Sequence, residues 1–213
     1  MLTVGHSNRP LDEFCNILKA HGVELLVDVR TVPRSRHNPQ FNQDTLPPAL
    51  AAEGIRYRHL PGLGGLRHAR KDSPNAGWKN LSFRGYADYM QTPEFARNLE
   101  TLLEMATGAV AAIMCAEAVP WRCHRSMIGD ALLVRGIPVV HILSASKTQP
   151  HKLTPFALVQ GTGITYPSEN LHIFNSQNVP EPSGGAFHPG LTVFSPKSGG
   201  TDGKRLACRD FQH

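Results

Sequence analysis

Long apolar runs are missing from this chain of 213 residues. Nothing in it approaches the roughly 18 consecutive apolar residues that a membrane span needs, which excludes a membrane protein. The opening Met1-Leu2-Thr3-Val4-Gly5-His6 lacks the basic-then-apolar layout of a secretory leader, so the chain reads as cytoplasmic. Cysteine is scarce: Cys15, Cys115, Cys123 and Cys208 are too few at this length for a disulfide scaffold. In a reducing compartment each is then either packed filler or chemistry. Several signatures are absent as well. There is no P-loop and no G-x-G-x-x-G, which disfavours nicotinamide and nucleoside-triphosphate enzymes. A G-x-S-x-G nucleophile elbow is also missing. Six residues, not five, separate Cys115 from Arg122, so the chain is not a cysteine phosphatase.

Charge is modest overall, +5, but unevenly placed. Residues 54–85 hold Arg56, Arg58, Arg67, Arg70, Lys71, Lys79 and Arg84 against the single acid Asp72. Arginine outnumbers lysine 15 to 7, which suits two-pronged contacts to phosphate or carboxylate. At 40% hydrophobic residues there is enough apolar material for a core.

The apolar pattern alternates strand and helix. Leu2–Val4 is a short strand, and Pro10 opens a helix with Leu11, Phe14, Cys15 and Leu18 on one face, stopped by Gly22. Val23–Val29 is nearly all apolar, as in a strand covered on both faces. After a short helix ending at Gly54, Ile55–Leu60 is a third strand, and a long basic loop, 61–81, follows as a candidate lid or binding loop. Helices are expected over 83–91 and from Thr92-Pro93 to Gly108, a fourth strand over Ala109–Cys115, a helix over Pro120–Arg135, and a fifth strand over Pro138–Leu143. Residues 146–167 read as a polar arm. The last 46 residues, 168–213, contain 6 Gly, 4 Pro and 5 Ser without a sustained period and read as a largely disordered tail.

Strands interleaved with helices predict an α/β fold: an open, mostly parallel five-stranded sheet with helices on both faces, Rossmann-like in layering. The expected strand order is 3-2-1-4-5, which sets His6 beside Cys115. With 2-1-3-4-5, His59 takes that place. In either order the carboxyl ends of the strands share one edge, where ligands bind.

Most of the chemistry falls at that edge. The first strand ends in His6 and Ser7, the second in Asp28, Arg30 and Arg34, the third in His59, Gly64 and Gly65, and the fourth in Cys115, Glu117, Arg122, Cys123, His124 and Arg125. The expected start of a helix near Pro120, with its unpaired N–H groups and two arginines, makes an anion site in which a thiol ionises readily. Cys115 is therefore the candidate nucleophile, with Glu117, His6 or His124 to move protons. Arg30, Arg122 and Arg125 would hold phosphate, and Ser7, Asp28, Arg34, Gly64, Gly65, Arg84, Tyr86 and Cys123 complete the candidate substrate contacts. Asp28 also reads as the ion-pair partner of Arg30, two residues on and on the same face. His59 and His141 read as hydrogen-bonded core histidines. A tetrahedral metal site from Cys115, Cys123, His124 and His6 is a further alternative, although no cofactor is required.

Besides a structural or redox-sensing Cys/His metal-binding protein, two readings follow from these residues. One is an enzyme acting on an anionic small molecule, nucleotide- or nucleic-acid-derived. The other is a nucleic-acid-binding module in which loop 54–85 contacts phosphates and Trp78, Phe83 and Tyr86 stack on bases.

Together the segments Val4-Gly5-His6-Ser7-Asn8-Arg9, Val27-Asp28-Val29-Arg30, Pro33-Arg34-Ser35, His59-Leu60-Pro61, Leu63-Gly64-Gly65, Ser82 to Met90, Cys115-Ala116-Glu117, Cys123-His124-Arg125 and His151 to Phe156 resemble the bacterial family called domain of unknown function 488. The resemblance covers roughly 1–167 and implies a single layered α/β domain. It implies no particular reaction. Pro10 stands where the family usually has a capping serine, and the tail beyond Tyr166 has no counterpart in the family pattern.

Overall fold

A computed structural model describes residues 1–168. The expected disorder of 168–213 concerns residues that, Ser168 apart, lie outside the described ones.

The chain folds as α/β. In order come β1 (Leu2–Gly5), α1 (Leu11–Ala20), β2 (Leu25–Asp28), α2 (Leu46–Ala52), β3 (Arg56–His59), α3 (Leu81–Tyr89), α4 (Pro93–Ala106), β4 (Ala111–Cys115), α5 (Arg125–Leu133), β5 (Val140–Ile142), β6 (Thr148–Pro150), β7 (Leu158–Gln160) and β8 (Gly163–Thr165). Local chemistry sets several boundaries. Asn80 caps α3 by accepting from the Ser82 and Phe83 amides, and the Thr92 hydroxyl accepts from the Phe95 amide at the start of α4.

The main sheet has six strands in the order β3-β2-β4-β1-β5-β6, parallel except for the antiparallel β6. The expected order 3-2-1-4-5 is corrected here: β4 stands between β2 and β1. All five β4 residues are buried, and the strand bonds on both edges, to β1 and to β2. So apolar a strand takes an inner place, while β3, with exposed Arg56 and Arg58, forms the edge. The connection from β1 to β2 therefore skips one place, against the commoner adjacency of consecutive strands. The expected neighbourhood of β1 and β4 still holds, with Gly5 opposite Cys115.

Two apolar layers cover the sheet. On one face Phe14, Leu18, Phe41 and Leu50 pack on Leu26, Ala112 and Met114. On the other Tyr86, Leu99, Leu102, Met127 and Leu132 pack on Val27, Ile113 and Cys115. Cys115 thus faces the α3–α5 side. Strand pleating sends its successors alternately to the two faces.

Two further expectations change. The helix expected from Pro120 is a single 3-10 turn, Pro120–Arg122, and α5 begins only at Arg125. The polar arm is folded: β6 extends the sheet, β7 and β8 pair as a hairpin, and the buried Tyr166 beyond them donates its hydroxyl to Asp130 on α5 at 2.8 Å. The long basic loop is also anchored. The Asp88 carboxylate accepts from the Arg70 amide, the Ser73 hydroxyl and the Asn75 side chain. No helix among the described residues is long and apolar enough to cross a membrane.

Candidate active site

The carboxyl ends of β2 and β4 open into a hollow of about 380 Å³. Cys115 and Cys123 stand in its wall, with Arg30, Gly65, Glu117, Arg122 and His124. With Phe83, the expected base-stacking ring, eight of the residues singled out from sequence share one space. The rest of the lining sets the apolar loop side chains Val32 and Leu66 beside Thr31, Asn80 and Ser82. Sequence reading missed Val32 and Leu66 because apolar residues on loops carry no local chemical signal.

The sulfurs dominate the site. The Sγ atoms of Cys115 and Cys123 meet, a pairing that spacing alone did not reveal. Their Cα atoms are 7.7 Å apart, wider than the roughly 4.4–6.8 Å usual for a disulfide.

Arg125 lies beneath the hollow and is fully buried. Its Nε donates to Cys115 Sγ at 2.9 Å, its NH2 to the Glu117 carbonyl at 2.6 Å, and its NH1 to Thr3 Oγ1 at 3.3 Å. Among the described residues no carboxylate comes within ion-pairing distance of it. Burial pulls its pKa down to about 10, partly offset by the more distant Glu117 charge. Gly5 makes this approach possible, because a Cβ there would overlap the Glu117 carbonyl and press on the guanidinium.

Cys123 has its own surroundings. The first amide of α5, Arg125 N–H, points at its sulfur at 3.5 Å, and His124 Nδ1 lies 3.5 Å away. His124 Nε2 faces the Val29 carbonyl at 3.3 Å, so that nitrogen carries the proton and Nδ1 presents a lone pair to the thiol. Burial lowers His124 to about 4, which keeps the ring neutral. The expected anion cradle at the helix start is taken up locally: the Ser126 amide bonds the Cys123 carbonyl, and those of Met127 and Ile128 bond His124.

Other candidates sit away from the hollow. His6 follows Gly5 by one residue and so points to the opposite sheet face, where it stacks on Phe41 at 4.2 Å. Both its nitrogens are engaged, one donating to the Ser7 carbonyl and the other accepting from Arg30, and burial holds it near 4. Asp28, fully buried, grips Arg30 at 2.6 Å and accepts from Tyr57. Arg30 thus reaches the hollow as half of a buried ion pair. Ser7 and Gly64 lie outside the lining, and Arg34 borders a separate surface depression. Arg84 donates to the Trp78 carbonyl, and Tyr86 is buried with its ring 5.0 Å from that of His124. Trp78 and Phe83 stack on each other, and Trp78 also packs on Phe156 and Tyr166. His59 bonds the Arg30 carbonyl.

Among the described residues no three His, Cys, Asp or Glu side chains converge as metal ligands. For the alternative metal set the geometry gives a reason, since His6 is across the sheet from both sulfurs.

No curated protein and no solved structure matches the chain. A family model, Domain of unknown function DUF488, matches residues 10–132, a span that runs from the start of α1 through Cys115, Cys123 and Arg125 into α5. The chain belongs to the DUF488 family.

Proposed function

We propose that this protein is a thiol-dependent enzyme, a transferase or hydrolase, acting on an anionic phosphate-bearing substrate in the hollow at the ends of β2 and β4. One observation carries the reading. Among the described residues Arg125 is a buried cation without a carboxylate in contact, and the ionisable atom it touches is Cys115 Sγ, at 2.9 Å. A buried charge needs a counter-charge, and a reduced Cys115 supplies one as its thiolate. The same ionisation makes it a nucleophile at neutral pH.

Arg122, exposed at the mouth, and the partly accessible edge of Arg30 attract the anion. Cys115 Sγ forms a bond to the electrophilic carbon or phosphorus while the bond to the leaving oxygen breaks. That oxygen takes a proton at the mouth, where the exposed Glu117 acts as the acid. Water or an acceptor hydroxyl then displaces the thiolate and returns its proton to Glu117. The apolar walls limit water around the sulfur.

Competition tests the anionic substrate class. In the reduced protein, pyrophosphate and a nucleoside diphosphate should each slow alkylation of Cys115 by iodoacetamide, and Arg122→Ala should weaken that protection. Alkylation that is unaffected by either anion contradicts the assignment.

A further inference from the structure

Behind Arg125 a line of polar side chains runs away from the hollow through the α3–α5 layer. Thr3 Oγ1, which accepts from Arg125, lies 2.8 Å from His141 Nδ1. His141 Nε2 lies 3.0 Å from His151 Nδ1, and His151 Nε2 is 2.8 Å from Asp130 Oδ1. Thr3, His141 and Asp130 are all buried. Its two histidines border a second hollow of about 320 Å³, walled also by Trp121, Ser126 and Lys152, before the line ends at the buried Asp130.

Its direction can be read from one end. A carboxylate only accepts, and Asp130 also accepts from the Thr154 amide and hydroxyl and from Tyr166. His151 Nε2 therefore carries a proton and donates. The other end agrees: the buried Thr3 hydroxyl already accepts from Arg125, so its own proton goes to His141 Nδ1, and the neutral His141 ring then donates from Nε2–H to His151 Nδ1. The Thr3 oxygen is left with its lone pairs toward Arg125. Every bond points from the buried cation to the buried carboxylate, and bonds aligned in series polarise one another. Burial, with the Arg125 charge nearby, keeps His141 near pKa 4, consistent with a neutral link.

We propose that Thr3, His141, His151 and Asp130 form a positioning relay that holds the Arg125 guanidinium against Cys115 and so sets the reactivity of that thiol. The relay rests on the thiolate reading above and adds to it residues that touch neither sulfur nor substrate. It also gives Asp130 a role that packing alone does not require: the anion that Arg125 lacks in contact is supplied through three intervening side chains. The charged and titratable groups facing Cys115 itself are Arg125 and Cys123, with Arg30 and His124 across the hollow and Glu117 and Arg122 at its mouth. None of these is altered by the variants that test the relay.

The test is the pH profile of Cys115 alkylation in the reduced full-length protein, with labelled sites assigned by mass spectrometry. Thr3→Val keeps the shape and removes the hydroxyl, and His151→Phe keeps a ring and removes both nitrogens. Both should move the Cys115 midpoint upward and slow its alkylation at pH 7, Thr3→Val by about fivefold, the worth of one hydrogen bond. Thr3→Ser should restore the wild-type profile. Where the wild-type midpoint lies below that of a free thiol, either of the first two variants, folded by circular dichroism but with an unmoved midpoint, overturns the relay. A second readout does not depend on the thiol. Nitrogen-15 NMR should find His141 and His151 both protonated at Nε2, and Thr3→Val should shift the His151 ring signals. Any other tautomer pair overturns the relay whatever Cys115 does. A wild-type Cys115 with an ordinary thiol midpoint, beside the expected tautomers, leaves the chain standing and removes the thiolate reading instead.

Discussion

Arg125 brings a full positive charge into a fully buried position and spends its hydrogen bonds on a sulfur, a carbonyl and a hydroxyl. As a structural device this is poor, because a carboxylate would compensate the charge better. Arg125→Met keeps much of the volume and removes the desolvation cost. Replacing a whole buried ion pair by apolar groups is often neutral or stabilising by about 1–4 kcal/mol, and here the thiol left behind takes up a proton, so no unpaired charge remains. The account therefore predicts that R125M melts no lower than the parent in the reduced state, yet alkylates at Cys115 at least about tenfold more slowly at pH 7, the equivalent of roughly one pH unit in thiol pKa. Equal alkylation rates would show that the cation does nothing for the sulfur. At this scale the sequence was informative about residue type. Cys115, Cys123, His124, Glu117 and Arg122 were legible because reactive side chains cluster after one strand. His6 was misplaced for a simple reason: adjacency in the chain says nothing of face, and one step along the pleat moved it to the other side of the sheet. The sulfur pairing was illegible because a separation of 8 residues across an irregular turn does not fix where two side chains point.

At the scale of elements, α5 carries the most constraint. Its N-terminus faces Cys123, Arg125 reaches Cys115, and one turn further on Asp130 collects His151, Thr154 and Tyr166. The arm that follows β5 closes over this helix, and Gly129 lets it do so. A Cβ at that position would stand 2.9 Å from His151 Nε2, whose ring is held by Asp130 and His141. In an exposed helix interior a Gly→Ala change stabilises by about 1 kcal/mol. Here the prediction has the opposite sign: Gly129→Ala lowers the urea midpoint, and a gain in stability would mean that the arm yields easily. The helices and inner strands were readable because each buries a whole face with a clear period. The arm was not. β6, β7 and β8 are three residues each and mostly exposed, so they leave no periodic signal; what secures the arm is the burial of Ile164 and Tyr166 in the core together with two polar anchors, the Asp130 carboxylate and the Asn75 side chain, which accepts from the Tyr166 amide.

At the scale of the whole molecule, the α/β layering and the common rim were readable, and the strand order was not, because nothing in the sequence says which crossover skips a place. Putting β4 between β1 and β2 brings the Cys115 end between two others, and so gathers groups from several connections in one hollow. Burial of imidazoles also gives the molecule a pH dependence. His6, His124 and His141 are all lowered to about 4 from an ordinary 6.5, so the folded state keeps them neutral while the unfolded chain protonates them. The stability this provides is complete above pH 6.5 and is lost as pH falls toward 4, with a slope of up to roughly 4 kcal/mol per pH unit if all three act together. Urea denaturation at a series of pH values should show it, and a midpoint that does not fall between pH 7 and 5 would mean the rings are protonated in the folded state. The most direct test of the central claim is the ionisation of one thiol. In the reduced wild-type protein, the rate of Cys115 alkylation as a function of pH should give a midpoint clearly below the roughly 8.5 of a free cysteine. A midpoint at or above that value contradicts the assignment of Cys115 as the counter-ion of Arg125.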